Sequence, residues 1–144
     1  MNDTTQIVCP HCDGINRVPS ARLGDGPRCG ACKQPLFQAR PLALSEARFR
    51  HHAANSGIPL LVDFWASWCG PCRAMAPAFE AAAAALEPAM RLVKVSTEEA
   101  PALAQELRIA SIPTLALFSG GRERRRQSGA MPAQHIIAWA RQAA

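Results

Sequence analysis

The sequence of 144 residues lacks any apolar run that could cross a membrane, because a spanning helix needs about 18 uncharged residues in succession. Its first residues, MNDTTQIV, lack both the basic start and the apolar stretch of a secretory signal. It also lacks a glycine-rich nucleotide-binding loop, so we expect no bound organic cofactor. These absences predict a soluble chain that stays in the cytoplasm and has no membrane contact.

The composition and the charge are typical of a folded globular protein. Apolar residues make up 49% of the chain and charged residues 19%, which excludes disorder over the whole length. The formal charge of +5 has its excess concentrated in residues 122–126. Alternation along a strand would place Arg122, Arg124 and Arg126 on one face, which is typical of a solvated edge strand that resists aggregation. An anionic partner surface is the alternative interpretation.

All six cysteines of the sequence belong to Cys-x-x-Cys pairs, so none is left outside this pattern. The pairs are Cys9/Cys12, Cys29/Cys32 and Cys69/Cys72. In a reducing compartment, such pairs favour metal ligands and redox-active thiols over structural disulfides.

Composition changes near residue 40. The first 40 residues hold four cysteines, four prolines and four glycines but few apolar residues, so burial alone cannot stabilise them. From Ser45 onward, the patterns are those of an α/β domain. We therefore predict two domains, 1–40 and 41–144, with a short connector over residues 40–44.

Helix and strand patterns alternate beyond the connector. They predict, in order, a helix over 45–54, a strand over 60–65, a helix from Cys69 to Pro88, a strand over 92–95, a short helix with Leu103 and Leu107, strands over 114–118 and 122–128 joined at Gly120-Gly121, and a final helix from Pro132. This order fits a mixed sheet with helices on both faces.

The pair Cys69/Cys72 lies between a predicted buried strand and the start of a helix. The N–H groups and dipole of a helix N-terminus stabilise a thiolate at Cys69. Cys72 lies one turn further in, close enough to bond Cys69. The implied chemistry is attack of Cys69 on a substrate disulfide, followed by resolution of the mixed disulfide by Cys72. A structural disulfide or half of a zinc site is the alternative.

Residues 62–73, VDFWASWCGPCR, resemble the active-site segment of the thioredoxin family, and residues 111–114, SIPT, resemble its cis-proline loop. The resemblance covers residues 45–144 and implies a thioredoxin fold, with a mixed central sheet flanked by helices, and protein-disulfide reductase activity. With its N-terminal cysteines, the whole chain is similar to the zinc-containing thioredoxin 2 type. Ser67, Arg73 and the lack of tyrosine depart from many relatives, which leaves the redox potential and the choice of partners open.

The resemblance also implies roles for single residues. Asp63 would be a buried carboxylate that takes a proton from Cys72, with Lys94 near it; a solvated lysine at a strand edge is the alternative. Pro113 would be cis and would bring the Ile112 backbone against Cys69. The residues expected to receive a substrate segment are Trp68, Gly70, Pro71, Ile112, Gly129 and Ala130.

The same resemblance implies partners. Thioredoxin reductase would recycle the pair, with NADPH bound to that partner and not to this chain. The substrates would be proteins that carry disulfides, and the protein would act as a monomer. The N-terminal segment has a single aromatic residue, Phe37, and dispersed basic residues, which argues against nucleic-acid binding.

The two N-terminal pairs are separated by sixteen residues, a spacing typical of a zinc site. Four thiolates from Cys9, Cys12, Cys29 and Cys32 would close a tetrahedral site around one zinc ion, which predicts a structural metal. Two disulfides or an iron site are the alternatives. The module would stabilise the fold, select substrates or sense oxidants by releasing zinc.

Overall fold

The computed structural model describes residues 3–144, so the first two residues of the predicted module 1–40 lie outside it. The elements follow in the order β1 (Thr4–Val8), β2 (Ile15–Pro19), β3 (Leu42–Ala43), α1 (Glu46–Asn55), β4 (Leu60–Trp65), α2 (Gly70–Leu86), β5 (Arg91–Ser96), α3 (Pro101–Glu106), β6 (Thr114–Ser119), β7 (Arg122–Ser128) and α4 (Ala133–Ala143). Within these residues, no helix combines the length and apolar content that crossing a membrane requires.

One five-stranded mixed sheet carries the larger part of the chain, in the order β3-β5-β4-β6-β7. The strands β3, β5 and β4 are parallel, whereas β6 is antiparallel to β4 and β7 is antiparallel to β6. The near-continuous apolar run of β4 suits a central strand, because both of its faces are covered. The predicted α/β class with a mixed central sheet is confirmed.

Two apolar layers cover the two faces of this sheet. On one face, Val62 and Phe64 of β4 pack with Phe49 of α1 and Leu103 of α3. On the other face, Leu61 packs in a layer that α2 and α4 supply with Phe79, Leu86, Ile136 and Ala140. Because the end of β4 is held from both sides, the loop that follows it begins from a rigid base.

The connector predicted over residues 40–44 contains a strand. Leu42 and Ala43 pair with Val93 and Lys94 of β5, and the Leu42 side chain is buried in the layer next to α1. A two-residue strand has no periodicity of its own, so only pairing with a distant strand defines it. The hairpin of β1 and β2 in the N-terminal module was likewise not predicted.

The prediction that Arg122, Arg124 and Arg126 share one face of β7 is wrong. A bulge lies in this strand, because Leu117 pairs with Arg125 while Phe118 pairs with Glu123. Arg124 is therefore an extra residue without a partner position in β6. As a result, Glu123 and Arg126 share a face, and their side chains form an ion pair at 2.6 Å.

The N-terminal residues form a small module, called the ribbon below, that packs on the larger domain. Ile7, Val18 and Leu36 form its apolar centre together with Ile58 of the larger domain. Arg91 at the start of β5 donates a hydrogen bond to the Val8 carbonyl at 3.2 Å and stacks on the Phe37 ring at 4.9 Å.

Glu87, which follows α2, completes this contact. Its carboxylate pairs with Arg91 at 2.9 Å and accepts a hydrogen bond from the Ala39 N–H at 2.7 Å. The side chains of Glu87 and Arg91 are 4% and 3% exposed, so the pair is shielded from water. The ribbon is therefore docked, and it lies at the end of the sheet where β4 and β5 begin.

Candidate active site and metal centre

The Cys69/Cys72 pair lies where the chain passes from β4 into α2. Cys69 is the N-cap residue of α2, and its sulfur accepts a hydrogen bond from the Cys72 N–H at 3.2 Å. Pro71 lies in the first turn, where a missing N–H costs no intrahelical hydrogen bond. The two sulfurs form a disulfide with the Cα atoms 5.2 Å apart, so the structure holds the oxidised form of the pair.

Both sulfurs are largely shielded, but their neighbour is not. Cys69 is 4% exposed and Cys72 is 2% exposed, whereas Trp68 is 68% exposed. The site therefore presents a large apolar ring to solvent beside a protected disulfide. Tryptophan side chains are enriched at surfaces that contact a partner.

The segment before Trp68 is held by a network that the sequence did not predict. The Glu98 carboxylate accepts hydrogen bonds from the Ser67 N–H at 2.8 Å and from its hydroxyl at 2.7 Å. The Arg73 guanidinium donates to the Ser67 carbonyl at 2.7 Å. The two residues that depart from many relatives are therefore bonded to each other. No local signal identifies Glu98, because it lies 31 residues away along the chain.

A second loop closes the other side of the disulfide. The Ile112–Pro113 peptide bond is cis, as the resemblance implies, and the Ile112 carbonyl oxygen lies 3.7 Å from the Cys69 sulfur. The Gly129 N–H donates to the Pro113 carbonyl at 2.9 Å, and Gly129 has a φ of 99° that a residue with a Cβ rarely adopts.

The structure brings most of the predicted substrate-contacting residues to this surface. Ile112 packs against Cys69 and Cys72, and Gly129 bonds to the neighbouring Pro113. The exposed members of the set are Trp68, Gly70, Pro71, Gly129 and Ala130. Their arrangement leaves the sulfur of Cys69 next to the Ile112 backbone carbonyl and several apolar groups.

Asp63 lies two residues before the end of β4. Leu61 on the same strand packs against α2, and side chains alternate, so Asp63 faces the side of the sheet that α2 covers. The residue is 1% exposed, and neither carboxylate oxygen has a hydrogen-bond partner within residues 3–144. Burial raises the pKa of this carboxyl to about 7 from an ordinary 3.8, while the adjacent Lys94 ammonium lowers it in part.

Lys94 lies beside Asp63 because the two residues are paired in the register of β4 and β5. Its ammonium also lies over the Trp65 ring, 4.6 Å from the ring centroid. An unpartnered carboxyl with a pKa near neutrality can both give up and accept a proton under ordinary conditions, which is what an acid–base group requires.

The four remaining cysteines converge in the ribbon. Their sulfurs all lie within 4.8 Å of one another, and the pairs Cys9–Cys32 and Cys12–Cys29 are each separated by 3.6 Å. The sulfurs of a tetrahedral zinc site with bonds of about 2.3 Å lie roughly 3.8 Å apart. The arrangement therefore fits one tetrahedrally bound ion.

Hydrogen bonds stabilise the thiolate form of one of these cysteines, Cys29. N–H groups of the Cys32 and Ala31 backbone and the Asn16 amide lower the pKa of the Cys29 thiol to about 6. The Asn16 side chain also accepts a hydrogen bond from the Gly30 N–H at 2.9 Å. Because metal ligation requires thiolates, this environment suits a ligand of a cation.

The first cysteine turn is bonded to α1 through Asp13. This residue has a φ of 64°, and its carboxylate accepts two hydrogen bonds from Arg48, at 2.8 and 2.9 Å, and one contact from His52 at 2.8 Å. The Arg48 guanidinium, with a contribution from His52, lowers the pKa of Asp13 to about 2. The position of the first cysteine turn is therefore fixed relative to the larger domain.

Comparison with known proteins agrees with this geometry. The thioredoxin family model matches residues 40–142, and a zinc-ribbon model described as the N-terminal part of thioredoxin 2 matches residues 8–34. Thioredoxin C-3 of Corynebacterium nephridii is 41% identical over 133 residues, which cover 92% of this chain and 91% of that protein.

Two further relatives extend the comparison. The chloroplastic M-type thioredoxin of Chlamydomonas reinhardtii is 37% identical and covers 83% of this chain and 88% of its own. Among solved structures, chloroplastic thioredoxin z superposes with a TM-score of 0.66 at 30% identity, covering 72% of this chain and 94% of that chain. The similarity thus includes sequence and fold.

Proposed function

The chain belongs to the thioredoxin family of protein-disulfide oxidoreductases, and from this premise we propose that it reduces protein disulfides through Cys69 and Cys72. In the reduced protein, the Cys69 thiolate attacks one sulfur of a substrate disulfide. A mixed disulfide forms, and the other substrate sulfur leaves as a thiolate. The start of α2 supports this role, because its N–H groups stabilise the attacking anion.

The second half of the reaction restores the disulfide that the structure contains. Cys72 gives its proton to Asp63 and attacks the Cys69 sulfur, and the second substrate thiolate leaves. The protein dithiol has then lost two electrons and the substrate has gained two thiols. The pKa of Asp63, about 7, supports its assignment as proton acceptor.

The observation that carries this proposal is the Cys69–Cys72 disulfide at the start of α2, next to the backbone of the cis-proline loop. An extended substrate segment would lie between Trp68 on one side and Ile112 on the other. Gly70, Pro71, Gly129 and Ala130 would complete this surface, since they are exposed around the pair.

The ribbon has a separate role in this proposal. Cys9, Cys12, Cys29 and Cys32 would hold one zinc ion as a closed structural site, which supplies the stability that the small apolar centre of the ribbon cannot. We divide the chain into a zinc module over 1–40 and a thioredoxin domain over 41–144. Thiolate ligands and a reductase both fit a reducing compartment such as the cytoplasm.

Reduction of insulin disulfides by dithiothreitol tests the proposed reaction. We expect the protein to accelerate the reaction and Cys69→Ser to lower the rate to that of dithiothreitol alone. Thioredoxin reductase with NADPH should replace dithiothreitol as the electron source.

A matched variant separates the two cysteines. Cys72→Ser keeps the nucleophile but cannot resolve the mixed disulfide, so a covalent adduct with the substrate should accumulate and be visible by mass spectrometry. If the intact protein gives no acceleration while its zinc and its fold are retained, the proposed function is wrong.

A further inference from the structure

Arg126 differs from its neighbours in the basic segment 122–126, because its side chain binds backbone atoms of the loop before β6. Its guanidinium donates to the Leu107 carbonyl at 2.6 Å and to the Arg108 carbonyl at 3.1 Å. The Glu123 carboxylate holds the same group through two hydrogen bonds of 2.6 and 2.7 Å. The arginine is therefore oriented by one strand neighbour and binds two backbone oxygens.

Those two oxygens belong to the turn that ends α3. The Ile109 N–H bonds to the Ala104 carbonyl and the Arg108 N–H bonds to the Gln105 carbonyl, which is the Schellman pattern of hydrogen bonds. In this pattern, the residue at the position of Arg108 is left-handed and is most often glycine. Arg108 has a φ of 55°, so the turn carries the free-energy cost of a Cβ in that region.

Arg126 offsets this cost in two ways. It satisfies carbonyl groups that the turn leaves exposed at the helix end, and it places a positive charge at the negative end of the helix dipole. Because Arg126 is paired with Ala116 of β6, its bonds connect the loop before β6 to the sheet itself.

The same loop leads directly to the disulfide. Only four residues separate Arg108 from Pro113, and the Ile112 carbonyl lies 3.7 Å from the Cys69 sulfur. The far end of the loop is fixed by Thr114, whose hydroxyl donates to the Ser111 carbonyl at 2.6 Å. The near end depends on the left-handed turn and on Arg126.

We propose that Arg126, oriented by Glu123, is a positioning residue that holds the Leu107–Arg108 turn and through it the substrate-facing backbone at Ile112. This inference rests on the proposed function, since it assumes that Ile112 receives the substrate segment. It assigns Arg126 a role in substrate affinity and leaves the chemistry of the two sulfurs unchanged.

The test compares Arg126→Met with Arg125→Met. The control residue lies next to Arg126 on the same strand but pairs with Leu117, so its side chain is on the opposite face. We expect Arg126→Met to raise the KM for insulin reduction about 3- to 10-fold, which corresponds to the net free energy of about one ordinary hydrogen bond. The kcat and the alkylation rate of reduced Cys69 by iodoacetamide should stay unchanged, and Arg125→Met should match the parent protein.

A readout that needs no activity separates this inference from the proposed function. Backbone amides of residues 107–112 should exchange hydrogen faster in Arg126→Met than in Arg125→Met. If the parent protein reduces no disulfide, the proposed function fails, while faster exchange still shows that Arg126 holds the loop. Equal exchange in the two variants, or an unchanged KM, overturns the positioning role.

A rescue experiment tests the left-handed turn as the route of the effect. Adding Arg108→Gly to Arg126→Met removes the Cβ from the strained position, so both the KM and the exchange rates should return most of the way to the parent values. Failure of the glycine to restore either quantity, in a double variant that remains folded by circular dichroism, would contradict the proposed route through Arg108.

Discussion

The Cys69/Cys72 pair and the ribbon cysteines share one spacing but lie in opposite environments. The redox pair follows a buried strand and opens a helix of 17 residues, so its two sulfurs meet each other. The ribbon pairs lie in tight turns that close with left-handed Asp13 and Lys33, and their four sulfurs converge. The backbone around a Cys-x-x-Cys pair therefore distinguishes a pair whose sulfurs bond to each other from two pairs whose four sulfurs converge.

The two sites also lie at opposite ends of the larger domain. Cys69 opens α2, whereas Glu87, which contacts the ribbon, follows its last residue. A helix of this length is roughly 25 Å long. Any influence of the ribbon on the redox pair must therefore pass through the docked interface.

Metal removal should produce the largest difference between the two regions. Chelation of zinc removes a binding free energy of about 10–16 kcal/mol in comparable structural sites, which the small ribbon cannot replace. We expect the amides of β1 and β2 to lose protection from hydrogen exchange while those of β4 and β6 keep it. Insulin reduction should stay within about twofold of the metal-loaded rate, because the reacting groups lie at the far end of α2.

The control for metal removal is Cys69→Ser, which should leave the zinc content at one ion per chain. Loss of protection in β4 together with β1 would contradict the separation of the two regions. It would show that they unfold as a single cooperative unit.

Breaking the buried Glu87–Arg91 ion pair of the larger domain, which lies at the contact with the ribbon, should have the next largest effect on stability. Arg91→Met leaves the Glu87 carboxylate 4% exposed without its cation, which costs about 3–5 kcal/mol for a buried pair. The free energy of unfolding from urea titration measures this loss. The double variant Arg91→Met/Glu87→Met should lose less than the single variant, and an equal loss would mean that the charge pair itself contributes little.

Asp63 should make the stability of the larger domain fall as the pH rises, an effect that we do not expect for the ribbon. Its folded pKa of about 7 lies above the unfolded value of 3.8, so the folded state binds its proton more tightly. The stability that Asp63 contributes is therefore fully present below about pH 4 and is lost as the pH rises through about 7. The loss is at most about 4 kcal/mol.

Asp63→Asn removes the titrating carboxyl, so the variant should be more stable than the parent protein at pH 8 and similar at pH 4. It should also resolve the mixed disulfide more slowly, since Cys72 loses its proton acceptor. Thermal unfolding at the two pH values measures the first effect. A parent protein whose stability does not fall between pH 4 and 8 relative to the variant would contradict the raised pKa.

Most of the fold was predicted from patterns of a few adjacent residues. The apolar run before Cys69 and the glycine pair at 120–121 predicted β4 and the β6–β7 hairpin, because strand length and turn chemistry are encoded in a few adjacent residues. The cysteine spacing led to the ribbon sulfurs that the structure brings together. The roles proposed for Asp63 and Pro113 rested on the family resemblance, and they remain predictions.

Features that depend on contacts between distant residues were not predicted from the sequence. The bulge that separates Arg124 from its neighbours arises from pairing with β6, and nothing in the run of arginines indicates it. Glu98 and the buried Arg91 are ordinary charged residues until the fold places Ser67 and Val8 beside them. Sequence reasoning therefore named the residues proposed to react and missed the residues that hold their surroundings.

The smallest expected effect concerns a single methyl group at the interface between the regions. A Cβ added at Gly57 would lie 2.8 Å from both the N and O atoms of the Gln6 backbone, so β1 must move away from the larger domain. We expect Gly57→Ala to lower the free energy of unfolding by about 1–3 kcal/mol, as overpacking does. Gly24→Ala is the matched control, because a Cβ there meets nothing within 4 Å. Equal stability of the two variants would mean that the ribbon shifts freely on the larger domain, and the docked position would then contribute nothing to the free energy of unfolding.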